Sequence, residues 1–265
     1  MDDLRPSPLG TKQHWDSHYE KELENFVEFN DTGDIWFGKP SEQRIIKYLS
    51  DCGTPLNSRI LDLGSGNGHF CLELVAHGYV SVIGIDYSEN AIKLARKLST
   101  SAQISGRIEF KCLDLLSSES VCDFVSQEGV FDAAIDKGTF DAITLTPDDA
   151  NPLRISERSR NLYLFNTHHL LRPGGMVVIT SCNWTAEELR QEFERIHKGR
   201  GQLFKFIYEV PPLSSFTFGG VTGIQPVKGG RLQRPPTAPA TAQTAQQPTG
   251  CGSTPSHTHA HTGGP

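Results

Sequence analysis

The stretch Arg59-Ile-Leu-Asp-Leu-Gly-Ser-Gly-Asn-Gly-His69 decides how the rest of this chain is read. It joins an apolar strand end carrying Asp62 to glycines at alternate positions, Gly64, Gly66 and Gly68. Glycine permits positive φ and lets a ligand lie against bare main chain. The following Phe70-Cys-Leu-Glu-Leu-Val-Ala76, stopped by Gly78, has the pattern of a helix with one apolar face. Strand, glycine loop and helix form the opening unit of a doubly wound nucleotide-binding sheet.

The charge beside the loop narrows the nucleotide. The G-x-G-x-G spacing differs from the dinucleotide G-x-G-x-x-G, and a pyrophosphate would be repelled by Asp62. S-adenosylmethionine carries no phosphate but does carry an ammonium and a sulfonium, so an acid there favours it. A second strand, Val80-Ser-Val-Ile-Gly-Ile-Asp86, ends in an acid about 20 residues past the middle glycine, where ribose hydroxyls are held. Tyr87 follows it, and Ser88 is placed to cap a helix over Glu89–Leu98. A third segment, Ile108-Glu-Phe-Lys-Cys-Leu-Asp114, again ends in Asp, placed with Leu115 to receive an adenine. Asp62, the glycines, Asp86 and Asp114, in order on successive strands, resemble the seven-strand class of S-adenosylmethionine-dependent methyltransferases. The resemblance covers about residues 55–210 and implies an α/β, Rossmann-like doubly wound sheet.

The rest of the chain fits around this core. Residues 1–10 are expected to be disordered. Trp15, Tyr19, Leu23 and Phe26 recur at helical spacing from Thr11 to Phe29, and a second helix runs over Glu42–Leu49, giving a helical cap at 11–54. The core continues with strands at Val130–Asp136, Gly175–Ser181 and Leu203–Val210. Helices are expected over Ser156–Leu171 and from Ala186 to Lys198, the latter opened by a Thr185/Glu188 capping box. Residues 224–265 are rich in Pro, Thr, Gln and Gly and are expected to form a disordered tail, since they bury too little surface to offset chain entropy. Within it, His257, His259 and His261 lack neighbours that would fix a metal geometry, and no metal site is expected.

Composition excludes several classes. The formal charge of −6 over 265 residues argues against a nucleic-acid binder and suits a basic substrate. The six cysteines show no C-x-x-C pair, and most sit in apolar contexts, as buried reduced thiols would. No apolar run reaches a membrane-spanning length, so no membrane partner is expected. The cytosol is the expected compartment and the nucleus an additional one.

The methyl acceptor should lie beyond the fourth strand, because ligands in open α/β sheets bind at the carboxyl ends of strands. That segment reads Asp136-Lys-Gly-Thr-Phe-Asp-Ala142, without the Asn/Asp-Pro-Pro-aromatic grip used on planar amide nitrogens. Together with His14-Trp15-Asp16…Tyr19, Asp34-Ile-Trp-Phe-Gly38, Thr180-Ser-Cys-Asn-Trp-Thr185 and Phe216-Thr-Phe-Gly-Gly220, it is similar to the elongation factor 1-alpha lysine methyltransferase 2 family. The resemblance implies a protein-lysine N-methyltransferase acting on translation elongation factor 1-alpha; separately, a monomer is expected. Asp136 is the first candidate to dock and orient the amine and Asp141 the second, with Asp136 equally open to serving the cofactor's methionine end. Trp36, Phe37, Lys137, Asn183 and Trp184 are the candidate substrate walls. Trp15 and Tyr19 read more readily as helix packing. A small-molecule methyltransferase stays open, because the core motifs do not name the acceptor. So does a non-catalytic variant, because no credible seventh strand is visible after Gly220: the segment Val221-Thr-Gly-Ile-Gln-Pro226 leads straight into the tail. Strand five is therefore expected to lose a neighbour and leave an unpaired edge.

Overall fold

The strand Arg59–Leu63 (β1) buries Ile60, Leu61 and Leu63 completely, as a parallel strand covered on both faces must. In this computed structural model residues 4–197, 199–210, 216–218, 221–223 and 228–234 are described. Ser81–Asp86 (β2), Ile108–Cys112 (β3), Phe131–Lys137 (β4) and Leu171–Ser181 (β5) join β1 in parallel, with Ile60 beside both Val82 and Ala133. Two antiparallel strands, Lys205–Glu209 (β6) and Lys228–Gln233 (β7), complete a sheet ordered β3-β2-β1-β4-β5-β7-β6. The order reverses between β1 and β4, which opens a crevice at their carboxyl ends.

Period-2 alternation assigns the two faces. Ile60, Val82, Ala133, Ile135 and Val178 pack under Gly38–Asp51 (α2), His69–Ala76 (α3) and Glu89–Ser101 (α4), through Ile45, Leu49, Phe70, Leu74 and Ile92. Leu61, Leu63, Ile85, Val177 and Ile179 face Ser118–Glu128 (α5), Thr139–Ile143 (α6), Glu157–Leu170 (α7) and Ala186–Glu194 (α8), through Val121, Phe140, Tyr163, Leu164 and Phe193. Lys12–Phe29 (α1) lies on α4, with Tyr19 against Leu94 and Leu98. The capping box at Thr185 and Glu188 forms as expected. Ser88 occupies the N-cap position of α4, although its hydroxyl does not bond the helix. Helix α8 stops short of the expected Lys198: Arg195 turns to ψ 134°, and Ile196–His197 pairs with Gly201–Gln202.

The seventh strand expected to be missing is present. Residues 228–233, assigned above to the tail, pair with β5 from Lys228↔Ser181 to Gln233↔Met176, and on their other side with β6. The reason is physical: a strand is joined by backbone groups, and the sequence KGGRLQ offers only Leu232, fully buried, as an apolar signal. Its end is anchored as well. Arg234 donates from its guanidinium to the carbonyls of His168 and Leu171, and its backbone exchanges hydrogen bonds with Gly174 (3.0 Å) and Gly175 (2.9 Å). The folded domain thus extends past residue 223 to 234.

The amino-terminal boundary shifts too. Pro8–Gly10 forms a 3-10 turn, Ser7 N donates to Leu145 O (3.2 Å), and Trp15 Nε1 donates to Leu9 O (2.7 Å). A Cβ on Gly10 would stand 2.2 Å from the Leu145 carbonyl carbon, so the segment approaches the body as only glycine allows. Among the described cysteines only Cys71 is buried; Cys52, Cys112, Cys122 and Cys182 are exposed, contrary to expectation. They are free thiols. The histidines 257, 259 and 261 lie outside the described residues.

Candidate active site

The glycine loop is held from two sides. Ser65 N donates to Ile85 O (2.8 Å), and Gly66 N donates to Asp86 Oδ2 (3.0 Å). Gly64 and Gly66 take φ of 67° and 54°, and both border the cavity at the sheet's carboxyl edge. A Cβ would meet Thr139 Oγ1 at 2.1 Å on Gly64, and the Tyr19 hydroxyl at 2.4 Å on Gly66. Asp86 also accepts from Ser88 N (2.8 Å), so it fixes the turn while presenting an edge to the cavity. Burial pushes its carboxyl up to about 6, against the two backbone donors, which pull it down.

The cavity holds about 470 Å³, a volume suited to a small cofactor. Asp86, Tyr87, Asp114 and Leu115 stand along the ends of β2 and β3, in the places expected for ribose and adenine. Asp114 is exposed, whereas Leu115 is buried. Among the described residues the charged lining is Asp34, Glu42, Asp86, Asp114 and Asp141, with Lys137 as the one cation. A polyphosphate would face an array of carboxylates here. A cationic adenosyl sulfonium fits both the charge and the bare loop.

Five expected site residues are placed elsewhere or held back. Asp136 is 0 % exposed and does not border the cavity. Its Oδ1 accepts from Thr139 N (2.9 Å), and its Oδ2 accepts from Phe140 N (2.9 Å) and the Tyr163 hydroxyl (2.6 Å). It therefore caps α6, and burial raises its carboxyl to about 7. Asp62 is likewise buried beneath the loop, accepts from Cys71 Sγ (3.3 Å), and is raised to about 6 by burial. Gly68 is a packing glycine: a Cβ there would lie 2.6 Å from the Phe110 ring. Trp184 turns inward against Phe140 and donates to Thr144 Oγ1 (3.2 Å), so it is core and not substrate wall. Asp141 does reach the lining, yet its oxygens already hold the Ser181 hydroxyl and Cys182 N (2.8 Å).

Trp36, Phe37, Lys137 and Asn183 do line the cavity. So do Trp15 and Tyr19, read above as packing, which form the roof with Leu9 and Gly10. The Trp36 ring is 38 % exposed and meets Trp15 edge-on at 5.1 Å. Glu42 went unnoticed. It is fully enclosed in α2, contacts His69 Nδ1 at 2.8 Å, and faces Lys137. A signal existed in the sequence: Glu42, Ile45, Ile46 and Leu49 share one helical face, so the acid stands where an apolar residue belongs.

Comparison with known proteins agrees with this geometry. The methyltransferase-domain family matches residues 56–217. The mouse protein EEF1A lysine methyltransferase 2 is 40 % identical over 84 % of this chain and 82 % of its own. The fission-yeast protein-lysine N-methyltransferase efm4 is 37 % identical over 84 % of this chain and 93 % of its own. The chain belongs to this family of lysine methyltransferases. In fold, the enzyme is similar to a solved S-adenosylmethionine-dependent methyltransferase from Anabaena variabilis, with TM-score 0.55 and 16 % identity over 83 % of this chain and 93 % of that one. This methyltransferase transfers its methyl group from S-adenosylmethionine to protein lysine. The ground for a non-catalytic variant, an incomplete sheet, falls away with β7 in place.

Proposed function

We propose that the chain methylates a lysine side chain of translation elongation factor 1-alpha, in the cytoplasm. The observation that carries this reading is the similarity to relatives named for that substrate, spread over more than four fifths of the chain. The cofactor would rest on Gly64–Gly66, with Asp86 on its ribose and Asp114 and Leu115 at its adenine. When bound it supplies an electrophilic methyl group. The chain's own residues orient the two partners; alignment of this kind supplies up to ~7–11 kcal/mol in well-oriented reactions.

A lysine amine titrates near 10.4, so it must shed a proton before attack. Asp136 is fully engaged in capping α6, and Asp141 in holding the β5 turn, so neither is assigned as the base. Desolvation against the aromatic lining is the feature left to disfavour the ammonium form, and it acts against the carboxylates that also line the cavity. Trp36 and Phe37 line the cavity, where aromatic faces suit a lysine stem. Asn183 offers an amide on the cavity lining. Mass spectrometry of the factor after incubation with the full chain and cofactor tests the assignment. A methylated lysine is expected; an unmodified factor in the presence of a cofactor-binding chain would remove it.

A further inference from the structure

Where α2 meets the end of β4, the cavity wall holds a charge pair that the steps above leave unused. Glu42 is 1 % exposed; its Oε2 contacts His69 Nδ1 at 2.8 Å, and its Oε1 has no hydrogen-bond partner. Lys137 Nζ stands 3.7 Å from that oxygen, beyond hydrogen-bond length, and donates to Trp36 O at 3.1 Å. An ammonium has three donors, so Lys137 keeps spare ones beside a carboxylate oxygen that lacks a donor. Both side chains border the cavity, and His69 ties the pair to the end of the glycine loop.

We propose that Glu42 and Lys137 together read the α-amino-acid end of the methyl donor, Glu42 Oε1 taking its ammonium and Lys137 Nζ its carboxylate. This deepens the cofactor reading and rests on it. A target lysine would bring an ammonium alone, crowding Lys137 with a second cation. An α-amino acid brings both charges on one carbon, matching the adjacent donor and acceptor. Burial makes the match selective, because a desolvated carboxylate without a donor is costly and one with a charged donor is not. The N-terminal cap, through α2, thereby takes part in loading the cofactor and rejects adenosine thioethers that lack the amino-acid end.

Calorimetry on the full chain tests this with two probes, S-adenosylhomocysteine and 5′-methylthioadenosine, which share the nucleoside and sulfur but not the amino acid. Glu42→Gln and Lys137→Met are each expected to weaken S-adenosylhomocysteine about tenfold or more, with methylthioadenosine unchanged. Equal losses for both probes would mark a structural role and overturn the proposal. Unchanged S-adenosylhomocysteine affinity in Glu42→Gln would overturn it too, and a raised KM for the protein substrate in that variant would hand the carboxylate to the target lysine. If the wild-type chain binds neither probe, the cofactor reading itself fails, and the proposal with it.

Discussion

Replacing Asp136 by alanine removes one acceptor group from three buried donors: Thr139 N, Phe140 N and the Tyr163 hydroxyl. A buried donor left unsatisfied costs about 1–3 kcal/mol. The removed carboxyl was itself held at about 7 by burial, so relief of its desolvation offsets part of that sum. The net loss is expected at about 2–4 kcal/mol. For a domain of this size each kcal/mol lowers Tm by about 2–4 °C, so the melt should fall by about 5–15 °C. Circular dichroism melting gives the shift, and calorimetry well below the new Tm gives the affinity for S-adenosylhomocysteine, which should stay within a few-fold of wild type. An unchanged Tm with abolished turnover would show that Asp136 works in the chemistry, contrary to its position under α6.

Leu232→Ala should cost about 2–5 kcal/mol in urea unfolding, because the side chain is fully buried in β7; a neutral result would argue that β7 contributes nothing to the sheet. Gly66→Ala places a Cβ 2.4 Å from the Tyr19 hydroxyl at φ 54°, and should weaken S-adenosylhomocysteine about tenfold or more, partly rescued by Tyr19→Phe. Retained affinity in Gly66→Ala alone would show that the loop does not carry the ligand. Stability without cofactor should also depend on pH in a defined direction. Asp62 and Asp86 are held at about 6, and Asp136 at about 7, in the folded chain, against about 3.9 unfolded. The native state then binds more protons than the unfolded one across that window. Their contribution is full below about pH 4 and is lost as pH rises through 6 to 7. Melts taken across that range should show the decline, and Asp62→Asn should flatten it; an unaltered slope in that variant would contradict the burial argument.

The parts of the site legible in the sequence were those fixed by strand ends. Asp86, Tyr87, Asp114 and Leu115 follow apolar runs directly, so topology alone delivers them to the cavity. Asp136 also ends a strand, but the backbone turns at Gly138 and two amides fold back onto its carboxyl, which no spacing announces. Trp36 and Trp184 both follow short loop segments, yet one opens to solvent while the other packs on Phe140; only the packed fold separates them. Tyr19 and Trp15 serve as both packing and roof, because α1 lies across the mouth of the sheet. The seventh strand was hidden because its pairing is carried by main chain, with Leu232 as its only buried apolar signal.

Hydrogen–deuterium exchange on the full chain, with and without S-adenosylhomocysteine, locates the bound nucleoside most directly. Protection should appear in peptides spanning 63–70, 86–88 and 113–116, with the roof at 7–19 slowing alongside them. Binding accompanied by protection elsewhere, with the glycine loop exchanging as before, would show that the cofactor does not lie on this cavity floor.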